Sequence, residues 1–208
     1  MIYSTKHKFL FVRNPACANR SIAEALRPFA DDYEEKGFGW KHCTYMKQKS
    51  SDKYNLSHMF EDYFVFTGVR NPWERAYNLF EGQRIMNVVD RNFNDQMDRN
   101  CTDWNAECKT LNDNLSTLTD NAILILNQKD YRVGVDFVYR FENLDVDFQV
   151  ICEMIGIDAR LPPKEESYAG IDFKDETFRW HYNQNSIDVI AEINKDDIRE
   201  YGYTFEIH

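Results

Sequence analysis

Three short apolar runs, each followed by polar residues and then by apolar positions at helical spacing, organise this 208-residue chain. The first is Phe9-Leu10-Phe11-Val12-Arg13, an aromatic strand pattern. Beyond Ser21, residues Ile22, Leu26 and Phe29 fall at i, i+4 and i+7, one face of a short helix that Pro28 ends or kinks. The second run, Tyr63-Phe64-Val65-Phe66-Thr67-Gly68-Val69, enters Arg70-Asn71-Pro72 and then a helix with Trp73, Ala76, Tyr77 and Phe80 on one side. The third, Asp136-Phe137-Val138-Tyr139-Arg140-Phe141, leads through Glu142-Asn143 into a helix bearing Leu144, Phe148, Ile151 and Ile155, with Gly156 as its stop.

The intervening segments read less sharply. Residues 31–61 are polar and mixed, and the stretch from Asn87 to Lys109 is rich in Asp and Asn, irregular or weakly helical. Leu115, Leu118, Ala122 and Leu126 mark another helix, and Leu161-Pro162-Pro163 opens a loop reaching to about Asn185. A last helix is predicted from an N-cap at Ser186, burying Ile187, Ile190 and Ile193. Gly202 ends it, and Tyr203-Thr204-Phe205 is predicted as a short closing strand. No repeat or linker divides the chain, so one α/β domain over residues 1–208 is expected, a parallel sheet covered on both faces by helices. Ligands in such sheets sit at the carboxyl ends of the strands. Those ends carry the loops 13–21, 69–75 and 140–144, with Arg13, Arg20, Arg70, Arg75 and Arg140 among them.

Composition narrows the function classes. Apolar residues make up 43% and aromatics 15%, which excludes a disordered chain. No run of 18 apolar residues and no apolar leader are present, so a soluble cytoplasmic protein without membrane association is expected. The net charge of −10 argues against nucleic acid bound on a broad basic face, while a pocket for one anion needs only two or three cations. Five cysteines (Cys17, Cys43, Cys101, Cys108, Cys152) without CxxC spacing fit reduced thiols better than a disulfide framework or a zinc site, although Cys101 and Cys108 could pair in an oxidising medium.

The first loop lacks GxxxxGK[ST], so an ATP or GTP cradle of that kind is not supported, and neither is a magnesium-dependent kinase. A turn feeding a helix nonetheless aims backbone N–H groups and a helix dipole at one point. Cys17, Ala18 and Asn19 are small enough for an anion to approach, and Ser21 adds a hydroxyl. A phosphate site and a plain turn are both open readings here. Arg70 at the second strand end is either a planar fork for phosphate or the partner of Glu74 or Glu142.

Four stretches in order, "FLFVRNPACANRSI", "YFVFTGVRNPWERAYNLF", "YRFENLDVDFQVICEMIGI" and "DDIREYGY", resemble the membrane-type and bacterial carbohydrate-sulfotransferase superfamily over nearly the whole chain. The family marks are F-x-x-x-P-K-x-x-x-x-S, F-x-x-V-R-N-P-W-x-R-x-x-S, R-F-E-x-L-x-x-D-F and a late D-x-x-x-F-G-Y. The resemblance implies a P-loop-like sulfotransferase fold using 3′-phosphoadenosine 5′-phosphosulfate as donor, leaving 3′-phosphoadenosine 5′-phosphate, with no metal. It implies that Ala16, Cys17, Ala18, Asn19, Arg20 and Ser21 cradle the 5′-phosphosulfate and that Arg70 grips the 3′-phosphate. Asn78 stands where the family has a serine sharing that phosphate; Arg75, Glu142 and Asn143 match structural positions.

Ala16 departs from the pattern, since the family has lysine there. Three readings compete: a substitution introduced to freeze a complex, replacement of the lysine by Arg13 or Arg20, and a natural binder without catalysis. The first is preferred because every other motif survives. Acceptor deprotonation calls for a base. The resemblance places it between the first two motifs, where His42 in "KHCTY" is the expected base, His58 the alternate, and Glu24, Glu61 and Glu81 weaker candidates. The expected activity is sulfuryl transfer to a hydroxyl or amine of a small metabolite or simple glycan, neutral or cationic given the acidic surface. The alternative is a non-catalytic nucleotide-binding module. In the loop 164–185, Ser167, Tyr168 and Lys174 are left unassigned. The aromatics Tyr168, Phe173, Phe178, Trp180 and Tyr182 either pack a lid or stack on a ligand.

Overall fold

The structure, a computed structural model, describes residues 1–31, 61–89, 127–163 and 176–205. Two compact units divide the chain: Met1–Arg70 with Asp130–Gly170, and Asn71–Lys129 with Ile171–His208.

The first unit holds an α/β sheet of four strands among the described residues, ordered β1 (Ile2–Ser4), β2 (Phe9–Phe11), β3 (Phe64–Val69), β4 (Phe137–Arg140). β2, β3 and β4 run parallel in the register Phe9↔Phe64 and Phe66↔Phe137. The sheet is mixed, not all-parallel as expected, because β1 pairs antiparallel with β2 from Ile2↔Phe11 to Ser4↔Phe9. Chain length decides this: a parallel partner needs a crossover of roughly a dozen residues or more, whereas a short turn returns the chain only antiparallel.

Alternation along the strands sorts the two faces. Phe9, Phe11, Phe66 and Tyr139 form one buried face with Ile22, Ala23 and Leu26 of α1 (Asn19–Leu26). Phe148, Ile151 and Ile155 of the helix Leu144–Ile155 join the same core. Leu10, Val12 and Val65 face the other way and pack with Tyr63 and Tyr131. Full burial of each such side chain contributes about 1.5–3 kcal/mol, so these two layers account for the order of the unit. α1 stops at Leu26 and a single 3-10 turn, Arg27–Phe29, follows with Pro28 in it. The helix Leu144–Ile155 closes on Gly156 at φ 67, the left-handed cap that glycine adopts without strain.

In the second unit α2 (Pro72–Val89) is followed, in the described residues, by a 3-10 segment (Glu176–His181) and by two helices, Gln184–Ile193 and Lys195–Tyr201. Trp73, Ala76, Phe80, Phe178, Val189, Ile190 and Tyr203 form its core. α2 runs on through Asn87 to Val89, into the stretch expected to be irregular or weakly helical. The Gln184–Ile193 helix begins two residues before Ser186, with Asn183 as N-cap: Asn183 Oδ1 accepts from the Ser186 N–H at 2.9 Å, and Ser186 Oγ accepts from the Asn183 N–H at 3.0 Å. Ser186 is thus the third helical residue of a capping box and not the cap itself. Residues Tyr203–Phe205 form no strand; Tyr203 and Phe205 instead pack their rings into the core. The predicted helix around Leu115–Leu126 lies outside the described residues.

Candidate functional site

The carboxyl end of β2 is tied to β3 before the loop begins. Thr67 Oγ1 donates to the Val12 carbonyl at 2.8 Å, and the buried Asn14 donates through Nδ2 to the Gly68 carbonyl at 2.7 Å. The chain then turns through Pro15–Ala18. Ala16 (φ 60) and Ala18 (φ 56) both occupy the left-handed region, which costs an L-residue roughly 1–2 kcal/mol. α1 starts at Asn19 without a side-chain cap, and its first internal bond runs from the Ile22 N–H to the Ala18 carbonyl at 3.1 Å. The N–H groups of Asn19, Arg20 and Ser21 therefore have no acceptor within the helix. A left-handed Ala18 followed by a helical Asn19 turns successive N–H groups toward one concavity, the geometry of an anion nest.

Charge agrees with that geometry. The first turn of α1 has no carboxylate and carries Arg20, the reverse of what a helix dipole favours unless a negative group sits there. Asn19 is 9% exposed, and its Oδ1 has no hydrogen-bond partner among the described residues. Arg70, at the end of β3 and 3% exposed, donates from Nη1 to the Ala16 carbonyl at 3.1 Å. Its guanidinium also lies over the Phe141 ring, 3.8 Å from the centroid. Arg70 is thus held beside the loop by a carbonyl and a ring.

Tyr139 and Gly68 complete the arrangement and were missed in the sequence. They are register partners on β4 and β3, and the Tyr139 ring lies over Gly68. The fully buried Tyr139 hydroxyl donates to the Cys17 carbonyl. Burial, reinforced by Cys17 and opposed by Arg13, holds this phenol well above its ordinary range. A signal was available: a lone glycine inside an apolar strand marks close approach by another group.

The remaining candidates divide as follows. Cys17 is buried, its thiol pointing to the Pro15 carbonyl at 3.5 Å; Ser21 is half-buried and Arg20 exposed. Glu24 pairs with Arg27 at 3.1 Å on an exposed face of α1. Asp147 accepts from the Arg140 N–H and from Asn143 Nδ2, each at 2.7 Å, which locks the turn after β4 and gives Asn143 the structural part expected of it. In the second unit Asn71 Oδ1 accepts from the Trp73 N–H at 3.1 Å and the Glu74 N–H at 3.4 Å, capping α2, with Pro72 as first helical residue. Asn78 belongs to this unit and donates to the Glu74 carbonyl of its own helix at 2.8 Å. Phe178 and Tyr182 pack in the core of that unit, whereas Trp180 is 81% exposed.

His42, His58, Ser167, Tyr168, Phe173 and Lys174 lie outside the described residues, as do Cys43, Cys101 and Cys108. Among the described residues no group of three or more His, Cys, Asp and Glu side chains could hold a metal ion, and no helix is long and apolar enough to cross a membrane. Compared with protein-family models, curated proteins and solved structures, the chain matches none.

Proposed function

We propose that the chain is a sulfotransferase-type protein that binds 3′-phosphoadenosine 5′-phosphosulfate on the loop 16–21 and Arg70. The observation that carries this reading is Arg70 docked on the Ala16 carbonyl beside an uncapped helix start. The sequence resemblance assigns these same elements to the two phosphate ends of the donor. The residues fit such a ligand: a helix start without a side-chain cap, a buried planar cation and a first turn free of carboxylates. The donor supplies an activated sulfuryl group. An acceptor oxygen or nitrogen takes it by in-line displacement: its bond to sulfur forms as the bond from sulfur to the phosphate oxygen breaks, 3′-phosphoadenosine 5′-phosphate leaves, and the acceptor's proton goes to a base, for which His42 is the candidate. Positioning and charge neutralisation carry most of the catalysis in transfers of this kind.

Ala16 shapes the expected rate. Its methyl offers no cation to the leaving group, and loss of one such donor costs on the order of a hundred- to a thousand-fold. The same residue supports a second reading, a binding module without turnover. Calorimetric titration of 3′-phosphoadenosine 5′-phosphate into the chain and into Arg70→Ala, with thermal melts of both, tests the site. Binding should be seen in the first and be lost in the second. Sulfuryl transfer appearing in Ala16→Lys separates a disabled enzyme from a binder. Absence of binding to the unaltered chain would end the sulfotransferase reading.

A further inference from the structure

Resting on that reading of the loop, we infer that Tyr139 is a positioning residue, a latch that sets the Cys17–Ala18 peptide in the orientation an anion requires. The peptide unit is planar and trans, so its C=O and N–H point in opposite directions. The Tyr139 hydroxyl takes the Cys17 carbonyl on the core side. The Ala18 N–H is therefore directed away from Tyr139, toward the open side of the loop. The Arg70 bond to the Ala16 carbonyl and the Cys17 N–H bond to Asn14 at 3.3 Å fix the peptide before it. Carbonyls of two successive loop residues are thus held by side chains from β4 and from the residue after β3, with no ligand needed to turn them.

The latch has something to restrain. Ala18 sits at φ 56, a conformation that its methyl group disfavours. Rotating the Cys17–Ala18 peptide by half a turn changes ψ of Cys17 and φ of Ala18 together. That rotation takes Ala18 out of the left-handed region to negative φ, with its ψ still at 22. It also turns the Cys17 carbonyl toward the anion and the Ala18 N–H away, replacing a donor by an acceptor. The Tyr139 hydroxyl is the group that opposes this rotation, and Gly68 is the residue that lets the ring lie close enough to do so. Tyr139 would not touch the ligand; it acts through one peptide plane.

Tyr139→Phe keeps the ring and removes the bond. The test compares the unaltered chain, Tyr139→Phe and a core control, Ile151→Val, each titrated with 3′-phosphoadenosine 5′-phosphate and with inorganic pyrophosphate. The Ala18 amide is followed by NMR after selective ¹⁵N-alanine labelling. The expected result is a loss of affinity of about tenfold or more for both ligands in Tyr139→Phe, with Ile151→Val unaffected. The Ala18 amide proton should move downfield on saturation of the unaltered chain and stay in place in Tyr139→Phe. Should Tyr139→Phe fail to fold, the Ala18 shift in the unaltered chain decides: no movement on saturation overturns the latch. Equal affinity in the unaltered chain and Tyr139→Phe overturns the latch and leaves the anion site standing. Failure of the unaltered chain to bind either ligand overturns both.

Discussion

Replacing Gly68 by alanine is a sharp test of the packing between β3 and β4. A Cβ at that position would lie 2.5 Å from the Tyr139 hydroxyl oxygen and closer still to Cζ and Cε2 of the ring. Gly68 is in regular strand, so backbone conformation does not enter; the conflict is entirely with one ring. The ring is fully buried, and Phe11 lies 6.3 Å from it, centroid to centroid, so it has little freedom to yield. Overpacking of this kind costs about 1–3 kcal/mol. Moving the ring also breaks its bond to the Cys17 carbonyl and strands a buried acceptor, for about 1–3 kcal/mol more. The two together put the loss at about 3 kcal/mol or more, a large part of the stability of a domain this size. Urea unfolding followed by tryptophan fluorescence reads it as a fall in midpoint at constant slope. The decisive comparison is the same substitution in a Tyr139→Leu background, whose shorter side chain leaves room for the methyl. There Gly68→Ala should cost less than about 1 kcal/mol, a coupling energy of about 2 kcal/mol between the sites. Equal losses in both backgrounds would refute the ring as the cause.

Two further expectations follow from separate features. Burial raises the Tyr139 pKa in the folded chain above its unfolded value, so the folded state holds the proton longer and its contribution is complete below about pH 10 and lost above it. Relative to Tyr139→Phe, the unaltered chain should lose stability as the pH rises from 10 to 11; parallel stability curves of the two proteins from pH 8 to 11 would contradict a buried neutral phenol. Asn71→Ala removes the acceptor of two N–H groups at the start of α2 and should cost about 1 kcal/mol. Asn71→Ser should recover most of it in thermal melts, and no difference between the two would argue against capping.

Much of the first unit was legible because its strands are continuous apolar runs and its helices carry apolar residues at i, i+4 and i+7. Phe9–Phe11, Phe64–Val69 and Phe137–Arg140, with the helices after them, stand where the pattern placed them. β1 was not read, since three residues before a polar turn give too short a pattern to separate from a loop. Tyr203–Phe205 misled in the opposite sense: alternation reports burial of alternate rings, and these rings are buried without the segment being a strand. Ser186 was read as a cap because serine serves both at the cap and three residues later, and only the reciprocal bonds with Asn183 tell these apart. Of the candidate site, the place of Arg70 directly after a strand was legible from the apolar run before it. Tyr139 was not, because its part depends on a cross-strand neighbour and on a carbonyl in a loop far away in sequence.

Those long separations bear on how the chain comes to fold. Among the strands described, only β1 and β2 are joined by a short turn. The bond from Thr67 to Val12 spans 55 residues, that from Val65 to Asp136 spans 71, and that from Tyr139 to Cys17 spans 122. Loop closures of this size must be met before the contacts they permit offset them, and topologies so dominated are slow to form. The carbonyl of Cys17 waits for a residue synthesised after two-thirds of the chain. A nascent chain that has not reached residue 139 lacks the partner of that carbonyl. A ligand that favours the loop as Tyr139 holds it would draw the folding equilibrium toward the folded unit.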